Sequence, residues 1–297
     1  MAYHPGMSKR PSSSVANKPT KATTEHEQLG LRQGQSVELL KELHILTREG
    51  KINQDSRRKL KQVNHLLQFI EPLLQKVLDE RGDVTLADHG AGKSYLGFML
   101  YDLFFSQRQV GWVYGIETRA ELVERSTALA QRLGFERMAF LPLTVQASMV
   151  STELPPAIDV VTALHACDTA TDDAIAFALA KQARHLVLVP CCQAEVAGVL
   201  RQSKALNLSR TPLSELWRHP LHTREFGSQI TNVLRCLQLE AHGYQVTVTE
   251  LVGWEHSMKN ELILATKIGS GKRSSKERLE QILLETGLTE LQSRFGV

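Results

Sequence analysis

From Ser36 to about Asp79 apolar residues recur at helical spacing, first Leu39, Leu40 and Leu43, then Leu60, Val63, Leu66, Leu67, Ile70 and Leu74. The pattern is interrupted between Gly50 and Gln54, so it predicts a helical prelude of two segments. After Gly82 the texture changes to short aliphatic and β-branched runs separated by longer amphipathic stretches, the alternation expected of βαβ units around a parallel sheet. Strands are expected near Val84–Asp88, Val110–Glu117, Met138–Leu143, Ile158–Leu164 and His185–Val189, with helices over about Lys93–Phe105, Arg119–Leu133, Thr171–Gln182 and Gln229–His242. Two last runs, Tyr244–Leu251 and Glu261–Thr266, are joined by a connection too short for a crossover helix, which predicts an antiparallel pair at the sheet edge. The expected class is α/β, with five parallel strands, a terminal antiparallel hairpin and a helical N-terminal extension.

Composition sets the frame for this pattern. A chain of 297 residues with 42% hydrophobic and 23% charged residues can bury a sizeable core, which excludes fibrous, disordered and disulfide-stapled classes. Residues 1–36 are aperiodic, with five basic and two acidic side chains, and read as a disordered basic arm; 37–80 form the helical extension. Residues 194–228 read as a lid-like insertion of mixed character, and 269–297 as a basic linker plus one amphipathic helix. No apolar run has membrane-spanning length and the polar start lacks a signal-peptide core, so the expected address is the cytoplasm without a membrane partner. Four cysteines are too few for a disulfide framework and are expected to be reduced. The formal charge of +3 is compatible with an anionic partner but specifies none.

The candidate chemistry begins at Asp88-His-Gly-Ala-Gly-Lys-Ser94, glycines at the carboxyl end of the first expected strand, where open α/β sheets bind ligands. Two readings compete. Gly92-Lys93-Ser94 resembles a phosphate-cradling P-loop, but the first required glycine falls at Ala87 and the loop would have to hold the carboxylate of Asp88 against a triphosphate. Alternatively Asp88, Gly90 and Gly92 form the unit, with the acid placed to meet the cationic amino group of S-adenosylmethionine and Glu117 at the second strand's end placed for ribose hydroxyls. Tyr95 occupies the position of a dinucleotide fingerprint's third glycine, which argues against NAD.

Four blocks then carry a resemblance: Asp88-His-Gly-Ala-Gly-Lys-Ser-Tyr-Leu-Gly97, Leu164-His-Ala-Cys-Asp-Thr-Ala-Thr-Asp172, Val189-Pro-Cys-Cys192 and Glu255-His-Ser-Met-Lys-Asn260. The chain resembles class I S-adenosylmethionine-dependent methyltransferases, most closely the methyltransferase-domain family similar to the tRNA 2′-O-methyltransferases of the acceptor stem. The resemblance implies a Rossmann-like seven-stranded domain over 81–268, S-adenosyl-L-methionine as cofactor held through Asp88, Gly90, Gly92 and Glu117, and an adenine site at Gln146, Ala147 and Ser148.

At the fourth strand's end His165 stands beside the cofactor's expected methyl, as a cofactor contact and as a candidate base, its unperturbed pKa near 6.5 suiting it to accept a proton at neutral pH. Asp168 either positions substrate or caps the following helix. Cys191 closes the fifth strand, where with Cys167 it could act as a thiolate nucleophile, bind zinc with His165, or fill the crevice floor; no Cys-x-x-Cys spacing is present and no metal is expected. The chain has no Asn/Asp-Pro-Pro-aromatic sequence after strand four, which removes support for exocyclic N-methylation. Arg201, Lys204, Arg210, Arg218 and Arg224, with Trp217 and Phe226 among them, suit phosphates and stacked bases, and RNA is the favoured acceptor. A non-catalytic cofactor-binding scaffold of the same fold is the rival from another class.

Overall fold

A helix-forming pattern with its own caps opens the described fold. The computed structural model describes residues 29–164, 168–190, 194–203, 212–251 and 261–296. Residues Ser36–Val297 pack as one unit, with Met1–Gln35 a separate one. The prelude is a short helix α1 (Val37–Glu42), capped by the Ser36 side chain, and a long helix α2 (Gln54–Arg81). The break at Gly50 to Gln54 has a physical cause: the Asn53 side chain accepts the Ser56 N–H at 2.7 Å, starting α2 with an N-cap, and Gly82 in the left-handed region ends it. Leu60, Val63, Leu66, Leu67, Ile70, Leu74 and Val77 all lie on its buried stripe.

The strands are β1 (Thr85–His89), β2 (Trp112–Ile116), β3 (Met138–Leu141), β4 (Val160–Leu164), β5 (His185–Val189), β6 (Tyr244–Glu250) and β7 (Glu261–Lys267). They form one seven-stranded sheet in the order β3-β2-β1-β4-β5-β7-β6. The first five pair in parallel, while β7 is antiparallel to both β5 and β6. This is a Rossmann-like open α/β sheet with the antiparallel terminal hairpin that the sequence predicts. β5 is buried at every position, as expected of a parallel strand covered on both faces, whereas β6, at the sheet edge, is buried only at Tyr244 and otherwise half-buried or exposed.

The crossovers are α3 (Tyr95–Leu100), α4 (Ala120–Arg132), α5 (Val145–Val150) and α6 (Thr169–Ala180), followed by α7 (Glu195–Ser203), α8 (Pro220–Ala241) and α9 (Arg273–Thr286). α3 runs on through a π-helical turn, Tyr101–Phe105, into Ser106–Arg108. The sequence pattern predicts the helix before the hairpin from Gln229; it begins instead at Pro220, because proline at the first helical position needs no N–H partner and has its φ preset. Residues 220–228 are therefore helical rather than loop. One core cluster joins the sheet to α6 and α8, and a second, with Leu200, Leu234, Leu279, Leu283, Leu291 and Phe295, seals α7, α8 and the C-terminal helix together. Among the described residues no helix is long and apolar enough to cross a membrane.

Candidate functional site

The turn after β1 carries its glycines where the backbone demands them. Gly90 and Gly92 have φ of 70° and 58°, conformations that cost an L side chain strain, and a Cβ at Gly90 would meet nothing within 4 Å. The outer side of the turn is thus open backbone. Its inner side is bound to β2: Gly90 and Ala91 N–H both donate to the Ile116 carbonyl, at 2.9 and 3.0 Å, and Gly92 N–H donates to Glu117 Oε2 at 2.8 Å.

Glu117 is the hub of this corner. Its carboxylate accepts from Gly92, from the Arg119 backbone N–H at 3.1 Å and, bidentately, from the Arg119 guanidinium at 2.9 and 3.1 Å. These donors, the Arg119 side chain first, hold its pKa down at about 2 against the opposing effect of burial. Glu117 is therefore ionised at all ordinary pH values. The Arg119 side chain that holds it is itself 61% exposed, while Glu117 is buried.

Asp88 lies beneath the same turn. Directly paired with Thr162 across β1 and β4, its Oδ1 accepts the Thr162 hydroxyl at 2.9 Å, and its Oδ2 accepts the Ser94 hydroxyl at 3.3 Å; the Gly97 N–H is a further donor. It is 2% exposed, and burial raises its pKa to about 6 despite those bonds. The carboxylate thus fastens the turn to α3 and β4 from below, with both oxygens engaged by the protein. Ser94, fully buried and donating to Asp88, is turned inward from where a magnesium ligand would stand, which counts against the P-loop alternative. Lys93 points to a different cavity, described below.

After β3, α5 places Ala147 half-buried and Ser148 fully buried, the Ser148 hydroxyl donating to the Val145 carbonyl at 2.7 Å within its own helix. The neighbouring Gln146 is exposed. The three stand in the loop-helix after β3, next to the β2 end that carries Glu117.

His165 and Cys191, with Cys167 and Cys192, lie outside the described residues, as does the block 255–260. Asp168 is described. It stands at the N-cap position of α6 with φ 50° and ψ −117°, a strained backbone for a non-glycine residue, and its side chain does not cap α6. Instead Asp168 Oδ1 accepts the Glu195 N–H, at 3.3 Å, at the start of α7. The helix-cap alternative is thus corrected: the acid reaches the next crossover, its backbone lying outside the extended region that a capping residue adopts.

Sequence patterns missed what holds this strained corner. Arg235 of α8, fully buried, makes a bidentate pair with Asp172 at 2.6 and 3.0 Å, donates to Asn232 Oδ1 at 3.0 Å and to the Asp168 carbonyl at 2.8 Å. Arg294 adds a contact to Glu195 and approaches Asp172 at 3.9 Å. Arginine on a mid-helix position carries no motif, so only the tertiary fold reveals it. His89 was also missed: it is 5% exposed, neither ring nitrogen has a partner among the described residues, and burial lowers its pKa to about 4. Its ring packs 5.2 Å from Phe177, on the face opposite Asp88 by strand alternation. Cys236, whose thiol burial pushes up to about 12, is an inert packing residue. Among the described residues no group of His, Cys, Asp and Glu is placed to hold a metal.

Comparison with known proteins bears on the same region. Residues 58–199 match the family model described as a methyltransferase domain. Among solved structures, a putative O-methyltransferase from Klebsiella pneumoniae is similar at 13% identity over 82% of this chain and 95% of its own, with a TM-score of 0.44. The magnesium protoporphyrin IX methyltransferase of Synechocystis PCC 6803, solved with bound SAH, is similar at 15% identity over 78% of this chain and 95% of its own, with a TM-score of 0.42. No curated protein sequence matches significantly.

Proposed function

We propose that this chain is an S-adenosylmethionine-dependent methyltransferase whose acceptor is an oxygen in RNA. The observation that carries the cofactor assignment is the open Gly90–Gly92 turn clamped to Glu117 at the adjoining strand ends, together with the match over residues 58–199 to a methyltransferase domain. The residues present fit the cofactor: bare backbone at Gly90 and Gly92 lets its amino-acid end approach, Glu117 accepts the ribose hydroxyls once Arg119 yields, and Ala147 with Ser148 borders the adenine. Asp88 serves from beneath, holding the turn rather than standing in the open.

When bound, the cofactor supplies an electrophilic methyl on a sulfonium. The chain's part is then positioning and proton removal. His165, at the end of β4, is assigned to take the acceptor hydroxyl's proton. Asp168, held by Arg235 and by the α7 N-terminus, is assigned to position the substrate, and Cys191, next in the chain after Pro190, is assigned to the same task. Alignment within the crevice supplies much of the rate, so a corner fixed by a buried arginine suits the task. The basic residues of 1–36 and of the 194–228 segment support an RNA acceptor.

Calorimetric titration with S-adenosylhomocysteine tests the assignment. Glu117→Ala is expected to abolish binding while leaving the circular dichroism spectrum unchanged; undiminished binding overturns the site. Incubation with labelled cofactor and cell extract tests the acceptor: label entering the RNA fraction is expected, and label in protein alone dismisses RNA.

A further inference from the structure

Lys93 belongs to the glycine-rich turn but not to the cofactor corner. It lines a cavity of about 300 Å³ enclosed by the segment after α1, the start of α3 and one face of α4, and none of Asp88, Gly90, Gly92 or Glu117 borders it. This volume lies at the lower end of the roughly 300–1,000 Å³ usual for small-ligand pockets.

The cavity's charge is lopsided. Lys93, Arg125 and Arg132 border it against a single carboxylate, Glu42, and that carboxylate is already paired with Arg132 at 2.6 Å. Two cations, Lys93 and Arg125, remain without hydrogen bond or ion pair among the described residues, and Glu121 and Glu124 of the same helix do not border the cavity. His44, held at φ 55°, adds an imidazole at the rim. Tyr95 is half-buried in the wall, its ring and hydroxyl likewise without a partner among the described residues, and Leu43, Leu122 and Leu129 make an apolar floor.

An aromatic face over an apolar floor, with two uncompensated cations at its edge, matches one ligand chemistry: a base to stack and a phosphate to neutralise. An inorganic anion would not need the ring, and an apolar ligand would not need the cations. We propose that this cavity is a second, nucleoside-phosphate site, separate from the cofactor crevice, that takes a nucleotide unit of an RNA strand through stacking on Tyr95 and phosphate contacts from Lys93 and Arg125. The proposal rests on RNA being the acceptor, and extends it by naming where the strand is gripped away from the reacting atom. Positions 125 and 132, two helical turns apart, align along α4 as a backbone track would require.

The test is fluorescence anisotropy with a labelled single-stranded RNA hexamer, competed by AMP and, separately, by hexaglutamate, with S-adenosylhomocysteine titrated in parallel. Lys93→Ala and Arg125→Ala are each expected to weaken RNA binding about 5–10-fold and to lower the salt slope by nearly one. Tyr95→Leu is expected to weaken it by a similar factor with the slope unchanged, and all three should bind S-adenosylhomocysteine as the wild type does. AMP binding that is lost in the same variants, with the hexamer unaffected, assigns the site to a free nucleotide and overturns the RNA grip. Wild-type affinity for both probes in all three variants overturns the proposal, as does failure of the wild type to bind either. So does hexaglutamate competing as well as RNA with no effect of Tyr95→Leu, which makes the cavity a mere anion patch. Methyl transfer to RNA is scored separately, so a missing grip and a mistaken acceptor give different results.

Discussion

Two neighbours in the chain, Asp88 and His89, point to opposite faces of β1 and are perturbed in opposite senses by the same burial. Asp88 has its pKa raised to about 6, so its contribution to stability is present at low pH and is lost as pH rises from about 4 to 6. His89 has its pKa lowered to about 4, so its contribution is present above pH 6.5 and is lost as pH falls toward 4. The two slopes offset across pH 4 to 6, each with a ceiling of about 3 kcal/mol from a shift of roughly two units. Chemical denaturation across that range should therefore give a nearly flat wild-type profile. Asp88→Asn should expose an acid loss, and His89→Leu a gain on acidification; parallel profiles in all three proteins would refute the coupling. At the same corner, Arg119→Ala should tighten S-adenosylhomocysteine binding, but by no more than about fivefold, because an ion pair with one exposed partner is worth at most ~1 kcal/mol. Weaker binding would show instead that Arg119 orients Glu117. The candidate residues Asp88, Gly90, Gly92 and Glu117 were legible because strand ends and positive-φ glycines leave a sequence signature, whereas Arg119 and Thr162 leave none: Thr162 meets Asp88 through strand register, and Arg119 folds back on Glu117 from the loop after β2.

At the level of elements, α3 and β1 meet through a contact that admits no methyl group. A Cβ on Gly97 would sit 2.4 Å from the Ser94 hydroxyl oxygen, the atom that binds Asp88. Gly97→Ala should push Ser94 off Asp88, lowering stability by about 1–3 kcal/mol in a thermal melt and weakening cofactor binding together with it. An unchanged melt would place the Ser94 contact outside the fold's requirements. The tie between α6 and α8 is of a different kind. Arg235→Met strands the Asp172 carboxylate in a buried site and should cost about 3–5 kcal/mol, whereas pairing it with Asp172→Leu should recover much of that loss. The strands were predicted from apolar runs to within two residues at either end because burial on both faces writes continuous aliphatic stretches. The start of α8 was misplaced because a polar first turn, Pro220 to Arg224, carries no apolar period and only the proline marks it.

For the whole molecule, the parallel sheet followed from aliphatic runs alternating with amphipathic stretches, and its antiparallel edge from connection length, since a short link between β6 and β7 permits no crossover. The role of the C-terminal stretch did not follow. It reads as a linker and a lone helix, yet Leu279, Leu283, Leu288, Leu291 and Phe295 complete a core with α7 and α8, because an amphipathic pattern tells which face is buried and not against what. Removing everything after Gly271 should accordingly expose that core and yield aggregated protein on size-exclusion chromatography; a soluble, cofactor-binding product would contradict the packing. Arg294 carries a further consequence. Since it braces Glu195 and Asp172 beside the strained Asp168, a nascent chain has its glycine turn and first five strands in hand well before the brace is synthesised. During translation the glycine turn and its Glu117 partner can therefore form first, and the corner at Asp168, Asp172 and Glu195 gains its last brace only after residue 294 has left the ribosome.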